Sequence, residues 1–265
     1  LRLIFVLFAF LVLSFPARAG MICTLVADAD TGAVLVEEGD CDRRVTPAST
    51  FKVPLAVMGF DAGLLIDPHS PSLPFQPGYA DWGGPNWRVN TDPTHWMTHS
   101  VVWFSQLLTP RLGADELTRY AQALGYGNAD FSGDPGRNNG LERAWIGSSL
   151  KISPREQVAF LARLVTLDLP VSRPAITSTL AILQSPGTFA SWQLWGKTGS
   201  AFPRNADYSL DRARGWGWYV GWAQRDGRRL VFARLDQDEA RNQVSGGLRA
   251  RDAFLAAWPT LAPRP

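Results

Sequence analysis

The spacing of hydrophobic positions changes character along this chain, and each change marks a segment. Residues 22–38 read as two short strands joined by a turn at Asp30-Thr31-Gly32. A helix is predicted to begin near Ser49, with Ala48-Ser49-Thr50 offering capping side chains and Pro54 close to the first turn, where a missing N–H costs little. Residues 68–95 are rich in Pro, Gly and Trp and form a long irregular segment of the kind that often carries function. From Trp96 to Leu169 helical spacing dominates, as in VVWFSQLLTPRLG, ADELTRYAQALG and SPREQVAFLARLVTL. In the last of these, Ser153, Pro154 and Glu156 are a capping-box start.

After Leu169 the pattern returns to strands. Residues 191–198 are one, and in 216–222 Trp216, Trp218, Val220 and Trp222 alternate with Gly217, Tyr219 and Gly221. Asp226-Gly227 signals a hairpin, Leu230–Leu235 the returning strand, and a helix from about Leu248 to Trp258 closes the pattern. Strands at both ends with helices between predict an α+β fold. An antiparallel sheet from about 20–50 and 170–265 would be flanked by helices and carry an inserted helical subdomain over about 51–169.

Residues 1–19 stand apart from this plan. Arg2, the apolar run Leu3–Phe15 and the Ala17-Arg18-Ala19 site read as a secretory signal peptide, with a single domain following over 20–265. The apolar run is too short to cross a bilayer, and no later run is long enough, so no membrane partner is expected after cleavage and the predicted compartment is the periplasm. Removal of Arg2 and Arg18 leaves basic and acidic residues equal in number, which argues against a nucleic-acid partner. Hydrophobic content of 46% without internal repeats excludes solenoid and fibrous classes. Cys23 and Cys41 flank the predicted hairpin. In an exported protein a disulfide between them is favoured, with two buried thiols as the alternative.

Three short motifs carry the chemistry. Ser49-Thr50-Phe51-Lys52 is S-x-x-K, Ser100-Val101-Val102 is placed at a second helix start, and Lys197-Thr198-Gly199 ends a strand. Each alone is weak: Ser49 and Lys52 by themselves would read as an N-cap and a solvated lysine. Together, in this order, they are specific. Residues three apart share a helix face, so Lys52 Nζ can reach Ser49 Oγ. A backbone N–H at the helix start can stabilise an oxyanion, Ser100 can relay protons, Lys197 brings positive charge, and the Thr198 hydroxyl can bind a carboxylate. Two competing patterns fail. His95 and His99 are four apart but lack the glutamate and third ligand of a zinc site, so no metal is expected. Gly196-Lys197-Thr198 lacks the upstream glycine of a phosphate-binding loop, since Ser191 occupies it.

With these residues the chain resembles the class D serine β-lactamases, the oxacillinase group of the penicillin-recognising enzymes. Tyr126-Gly127-Asn128 matches the family's Y-G-N, and Trp145 to Ser153 matches its W-x-x-x-x-L-[KR]-I-S segment. Gly247-Leu248-Arg249 matches the arginine that opens the last helix. Class A relatives carry S-D-N at the second motif, where this chain has Ser100-Val101-Val102. They also need a glutamate with an asparagine four residues on, and here Glu142 is followed at that spacing by Ile146.

The resemblance implies a role for each site residue. Ser49 would be the nucleophile that forms an acyl-enzyme with a small-molecule β-lactam. Lys52, carboxylated by CO2 or bicarbonate, would be the general base, in a pocket of Phe51, Val102 and Ile146 with the Trp145 indole N–H as donor. The backbone N–H groups of Ser49 and Ser200 would form the oxyanion hole, and Ser100 and Lys197 would complete the catalytic set. Thr198, Gly199, Ser200 and Arg249 would bind substrate, with Arg249 on its carboxylate. No other cofactor is implied. Two departures stand out: Ser200 after K-T-G, and Gly147-Ser148 where the loop usually has an acidic residue. Two other functions remain open on sequence, a β-lactam sensor domain that is acylated but not turned over and a D,D-peptidase. Substrate range, inhibitor response and oligomeric state are not encoded in these motifs.

Overall fold

The computed structural model describes residues 19–263. All but the last residue of the expected signal peptide lies outside them. Six strands form one antiparallel sheet in the order β2-β1-β6-β5-β4-β3. In chain order they are β1 (Ala19–Asp28), β2 (Val34–Gly39), β3 (Gln184–Phe189), β4 (Trp192–Ala201), β5 (Trp216–Arg225) and β6 (Arg228–Asp238). The first strand lies beside the last, so both ends of the chain build the sheet as expected. Cys23 on β1 and Cys41 just after β2 form a disulfide with a Cα–Cα distance of 5.0 Å, which resolves the two readings of these cysteines. The turn between β1 and β2 is held by the Asp28 carboxylate, whose Oδ1 accepts from the Asp30 and Thr31 amides and the Thr31 hydroxyl.

Alternation along the strands divides the interior into two cores. Leu25, Trp218, Val220, Trp222, Val231 and Ala233 face the helical region. Val26, Leu194, Tyr219, Phe232 and Leu230 face the other way, against α8 (Gly246–Leu261) through Phe254 and Trp258. Period-two side-chain placement produces this split, and the predicted faces of β5 are the observed ones. The helical region consists of α1 (Lys52–Asp61), α2 (Pro93–His99), α3 (Val102–Leu112), α4 (Ala114–Leu124), α5 (Gly140–Gly147), α6 (Pro154–Val165) and α7 (Arg173–Ala181). The capping box at the start of α6 forms as predicted: Ser153 accepts from the Glu156 amide and Glu156 from the Ser153 amide.

The structure corrects several expectations. The segment around Ser49 is a 3₁₀ turn, Ala48–Phe51, that feeds α1, and no side chain caps either element. The Thr50 hydroxyl bonds back to the Pro47 carbonyl at 2.7 Å, a local side-chain-to-backbone bond of the kind that serine and threonine often make. Ser100 does not start a helix. It ends α2 in a left-handed conformation, φ 56°, and α3 begins at Val102. The return to strands comes at Gln184, because α7 intervenes. Its β-branched threonines hid it, and packing against α1 supplies what propensity does not. The edge strand β3, which contains Pro186, was also not foreseen; edges are where a sheet tolerates proline.

Candidate active site

Ser49 sits on the 3₁₀ turn, and Lys52 is the first residue of α1. The Lys52 Nζ donates to Ser49 Oγ at 3.4 Å, and the lysine is 1% exposed. Burial, and secondarily the nearby Lys197, push its pKa well below the ordinary lysine value. Around it the pocket is apolar: Phe51 stacks on Trp145 with centroids 5.3 Å apart, and Val102 is buried. The Trp145 Nε1–H is buried and has no hydrogen-bond partner. An unsatisfied buried donor costs about 1–3 kcal/mol; Trp145 lines the cleft onto which Ser49 opens and stacks on Phe51, the residue before Lys52, so its open donor offers a place for an acceptor there. That is the group the residues fit: a carboxylate carried by Lys52.

Trp145 is fixed from behind. Its carbonyl accepts the Thr46 hydroxyl at 2.7 Å, and the Thr46 carbonyl accepts the Trp218 indole N–H at 2.9 Å. A two-way bridge between Val45 and Ile152 ties the same strip to the chain leaving α5.

The opposite wall is β4. Lys197 is 4% exposed and donates to Ser100 Oγ and to the Thr198 carbonyl. Burial lowers its pKa to about 7. Gly199 is required by proximity: a Cβ there would lie 2.9 Å from the Pro47 carbonyl oxygen, so only glycine lets β4 reach the nucleophile turn. Ser200 Oγ accepts from the Gly247 amide at 2.8 Å, which docks the start of α8 on β4. Tyr126 of the Y-G-N turn is buried and receives the Gln157 amide, which also donates to Thr50 Oγ1 at 2.8 Å. That turn therefore braces the nucleophile segment from below.

These residues open on a cleft of about 790 Å³ lined by Ser49, Ser100, Val102, Trp145, Ile146, Thr198, Gly199 and Ser200. Lys52, Phe51 and Lys197 stand behind that lining. The two lysines meet the cleft through the hydroxyls of Ser49 and Ser100. Arg249 is placed differently from the expectation. Its guanidinium pairs with Asp238 at 2.5 Å and donates to the Val244 carbonyl at 3.1 Å, and the cleft is lined by Leu248 instead. Arg212 and Arg241 supply cationic groups at the rim.

The remaining cleft wall carries no motif. Trp82, Gly83 and Trp87 come from the irregular Pro/Gly/Trp-rich segment, and His99 joins them from the end of α2. The composition of that segment was the one available signal. His95 and His99 do share a face of α2, with ring centroids 4.3 Å apart. Burial and the neighbouring His95 lower the His99 pKa.

Known proteins match this chain closely. A family model described as the penicillin binding protein transpeptidase domain matches residues 22–257. Beta-lactamase OXA-9 of Klebsiella pneumoniae is 44% identical over 90% of this chain and 87% of its own. Beta-lactamase OXA-1 of Escherichia coli is 34% identical over 90% of this chain and 84% of its own. The crystal structure of OXA-427 class D beta-lactamase superposes with a TM-score of 0.83 at 43% identity, covering 91% of this chain and 99% of that one. Sequence, fold and cleft thus agree, and the chain belongs to the class D serine β-lactamases.

Proposed function

We propose that this chain hydrolyses penicillin-type β-lactams through an acyl-enzyme on Ser49, with Lys52 serving as the general base once it carries CO2. One observation carries the reading: a buried lysine hydrogen-bonded to the nucleophile, with an unpartnered tryptophan donor on the cleft that this serine lines. Bound CO2 would give an anionic oxygen base next to Ser49, where among the described residues no carboxylate bonds to Ser49 or Lys52.

This chain's residues perform the rest. Burial keeps the Lys52 Nζ as a free amine, the form with a lone pair for CO2. Phe51, Val102 and Ile146 hold water away from it, and the Trp145 N–H would hold the added carboxylate. Ser49 would give its hydroxyl proton to the base at Lys52 as its Oγ bonds to the lactam carbonyl carbon, and the C–N bond then breaks. The carbonyl oxygen is received by the Ser49 and Ser200 amides. The departing nitrogen takes a proton from the Ser100 hydroxyl, which Lys197 replenishes through its own hydrogen bond. Thr198 and the cationic rim orient the substrate carboxylate. Water then cleaves the ester and frees Ser49.

Steady-state hydrolysis of nitrocefin and oxacillin tests this. Many turnovers per enzyme, lost at low pH without bicarbonate and restored by adding it, is the expected result. A single stoichiometric burst with a lasting acyl-enzyme would move the chain to the sensor reading. Export to the periplasm is supported by the pattern of residues 1–19 and by the Cys23–Cys41 disulfide, a bond that oxidising compartments preserve. Among the described residues no helix is long and apolar enough to cross a membrane. N-terminal sequencing of the secreted chain should begin at Gly20.

A further inference from the structure

Trp145 and Ile146 ride on α5, and that helix has little to hold it in place by itself. It runs only from Gly140 to Gly147, begins and ends on glycine, and has no side-chain cap. Helices this short are marginal in water. Just upstream, Asp134 is 5% exposed and meets groups at both ends of α5. The Asn139 side-chain amide, before the helix, donates to Asp134 Oδ2 at 3.1 Å, and the Asp134 amide returns a bond to Asn139 Oδ1 at 2.8 Å. The Ser148 hydroxyl, after the helix, donates to Asp134 Oδ1 at 2.7 Å. Arg204, in the loop after β4, donates to Asp134 Oδ2 at 3.1 Å. The same guanidinium reaches the Gly147 carbonyl at 3.4 Å and the Tyr208 carbonyl at 2.8 Å.

We infer that Asp134 is a positioning residue for the Lys52 pocket: its carboxylate clamps both ends of α5 and fastens that helix to the loop beyond β4. The segment leading to Asp134 leaves no slack, since a Cβ on Gly140 would sit 1.7 Å from the Phe131 carbonyl oxygen. Burial opposes the charge on Asp134, but the Ser148 and Asn139 hydrogen bonds and the Arg204 and Arg143 charges outweigh it, so the carboxyl is held below its usual pKa and stays ionised at neutral pH. Lys151, whose charge also feels Asp134, and the carboxylate of Asp130 line one hollow with it. Loosening the clamp lets α5 lift from Phe51, admits water beside Lys52 and weakens the hold of Trp145 on a carboxylated lysine. This consequence rests on the reading of Lys52 given above.

The test uses Asp134→Asn, Arg204→Lys and Ser148→Ala in the full chain, with Glu116→Gln on the distant surface of α4 as control. Two quantities are read: the bicarbonate concentration giving half-maximal kcat, and amide hydrogen exchange of residues 143–147 in bicarbonate-free protein. Asp134→Asn should raise the half-saturating bicarbonate about tenfold or more, the scale on which partners behind a bound group act. Saturating bicarbonate should restore kcat, and exchange in α5 should quicken. Arg204→Lys should fall between wild type and Asp134→Asn, and the control should match wild type. If Asp134→Asn does not fold, the milder Ser148→Ala decides by the same two readings. A wild type that needs bicarbonate while Asp134→Asn and Ser148→Ala share its half-saturation overturns the inference. A wild type indifferent to bicarbonate overturns the Lys52 reading instead, while α5 exchange still reports whether the clamp exists.

Discussion

Lys52 and Lys197 stand behind two serines of one cleft, and their surroundings differ. Lys52 is buried next to Phe51, which stacks on Trp145, and the Trp145 indole N–H has no partner. Lys197 is equally buried but donates to Ser100 Oγ and to a carbonyl, and the neighbouring Ser200 is engaged by the Gly247 amide. No carboxylate contributes to either lysine's shift. The surroundings of Lys52 are thus apolar, whereas Lys197 already donates to two oxygens, although Trp216 on the sheet side of the cleft also keeps a buried indole N–H without a partner. Under the proposed function, Lys52 is the lysine that would take up a further group, and Lys197 the one that would pass a proton along the bond it already makes to Ser100.

The sharpest way to break this contrast is to remove the amine. Lys52→Ala should lower kcat by roughly 10²–10⁴, the scale of a lost general base, and leave the acyl-enzyme on Ser49 detectable by mass spectrometry. Trp145→Phe keeps the stack on Phe51 but deletes the donor. A hydrogen bond to a charged group is worth about 1.5–3 kcal/mol, so its loss should cost about 10–100-fold at low bicarbonate and much less at saturation. A cost independent of bicarbonate would show that the indole merely fills space.

Acid and alkaline limbs should separate the two lysines. Lys52 must shed its proton to accept CO2, so activity falls as pH drops below its lowered pKa. Lys197 has a pKa of about 7, so its ammonium is lost as pH rises through that value and the alkaline limb should report it. Lys197→Ala should erase that limb in a pH–kcat/KM profile. The sign for stability follows from the same shift. The folded chain binds fewer protons than the unfolded chain between about 7 and 10.5, so stability rises with pH across that window and has lost this contribution below it. Denaturant titrations of Lys197→Ala should show a flatter dependence. The smallest effect on activity is expected at the rim. Arg249 is already paired with the buried Asp238, so Arg249→Ala should change kcat/KM by only about threefold and fall mainly on stability, since a buried charge left without its partner costs about 3–5 kcal/mol. A loss beyond about a hundredfold would mean that Arg249 leaves Asp238 for the substrate.

What the sequence disclosed has a pattern. Features encoded within a few residues were legible: the capping box at Ser153, the alternation of β5, the Asp226-Gly227 hairpin, the three motifs. The cleft walls were not, because Trp82, Trp87 and Arg241 reach the site through long-range packing that no local period records. Ser100 was placed at a helix start because its turn looks like one. Its left-handed backbone is imposed by the corner between α2 and α3. Arg249 was matched to a role by position, yet its partner Asp238 lies at the end of β6, a contact visible only when the sheet is assembled. The expected capping at Ser49 is absent because the N-cap positions fall on Pro47 and Phe51, whose side chains have no acceptor.

The place of β1 between β2 and β6 also sets a timetable. A ribosome releases residues 19–39 early, and they can pair as a hairpin. The inner edge of β1 then has no neighbour until residues 228–238 are synthesised. During that interval an apolar strand with open N–H and C=O groups waits, an arrangement prone to pairing with other chains. The sheet therefore closes only through a pairing of the two ends of the domain, Ala19 beside Asp238, and non-local pairing of this kind slows folding.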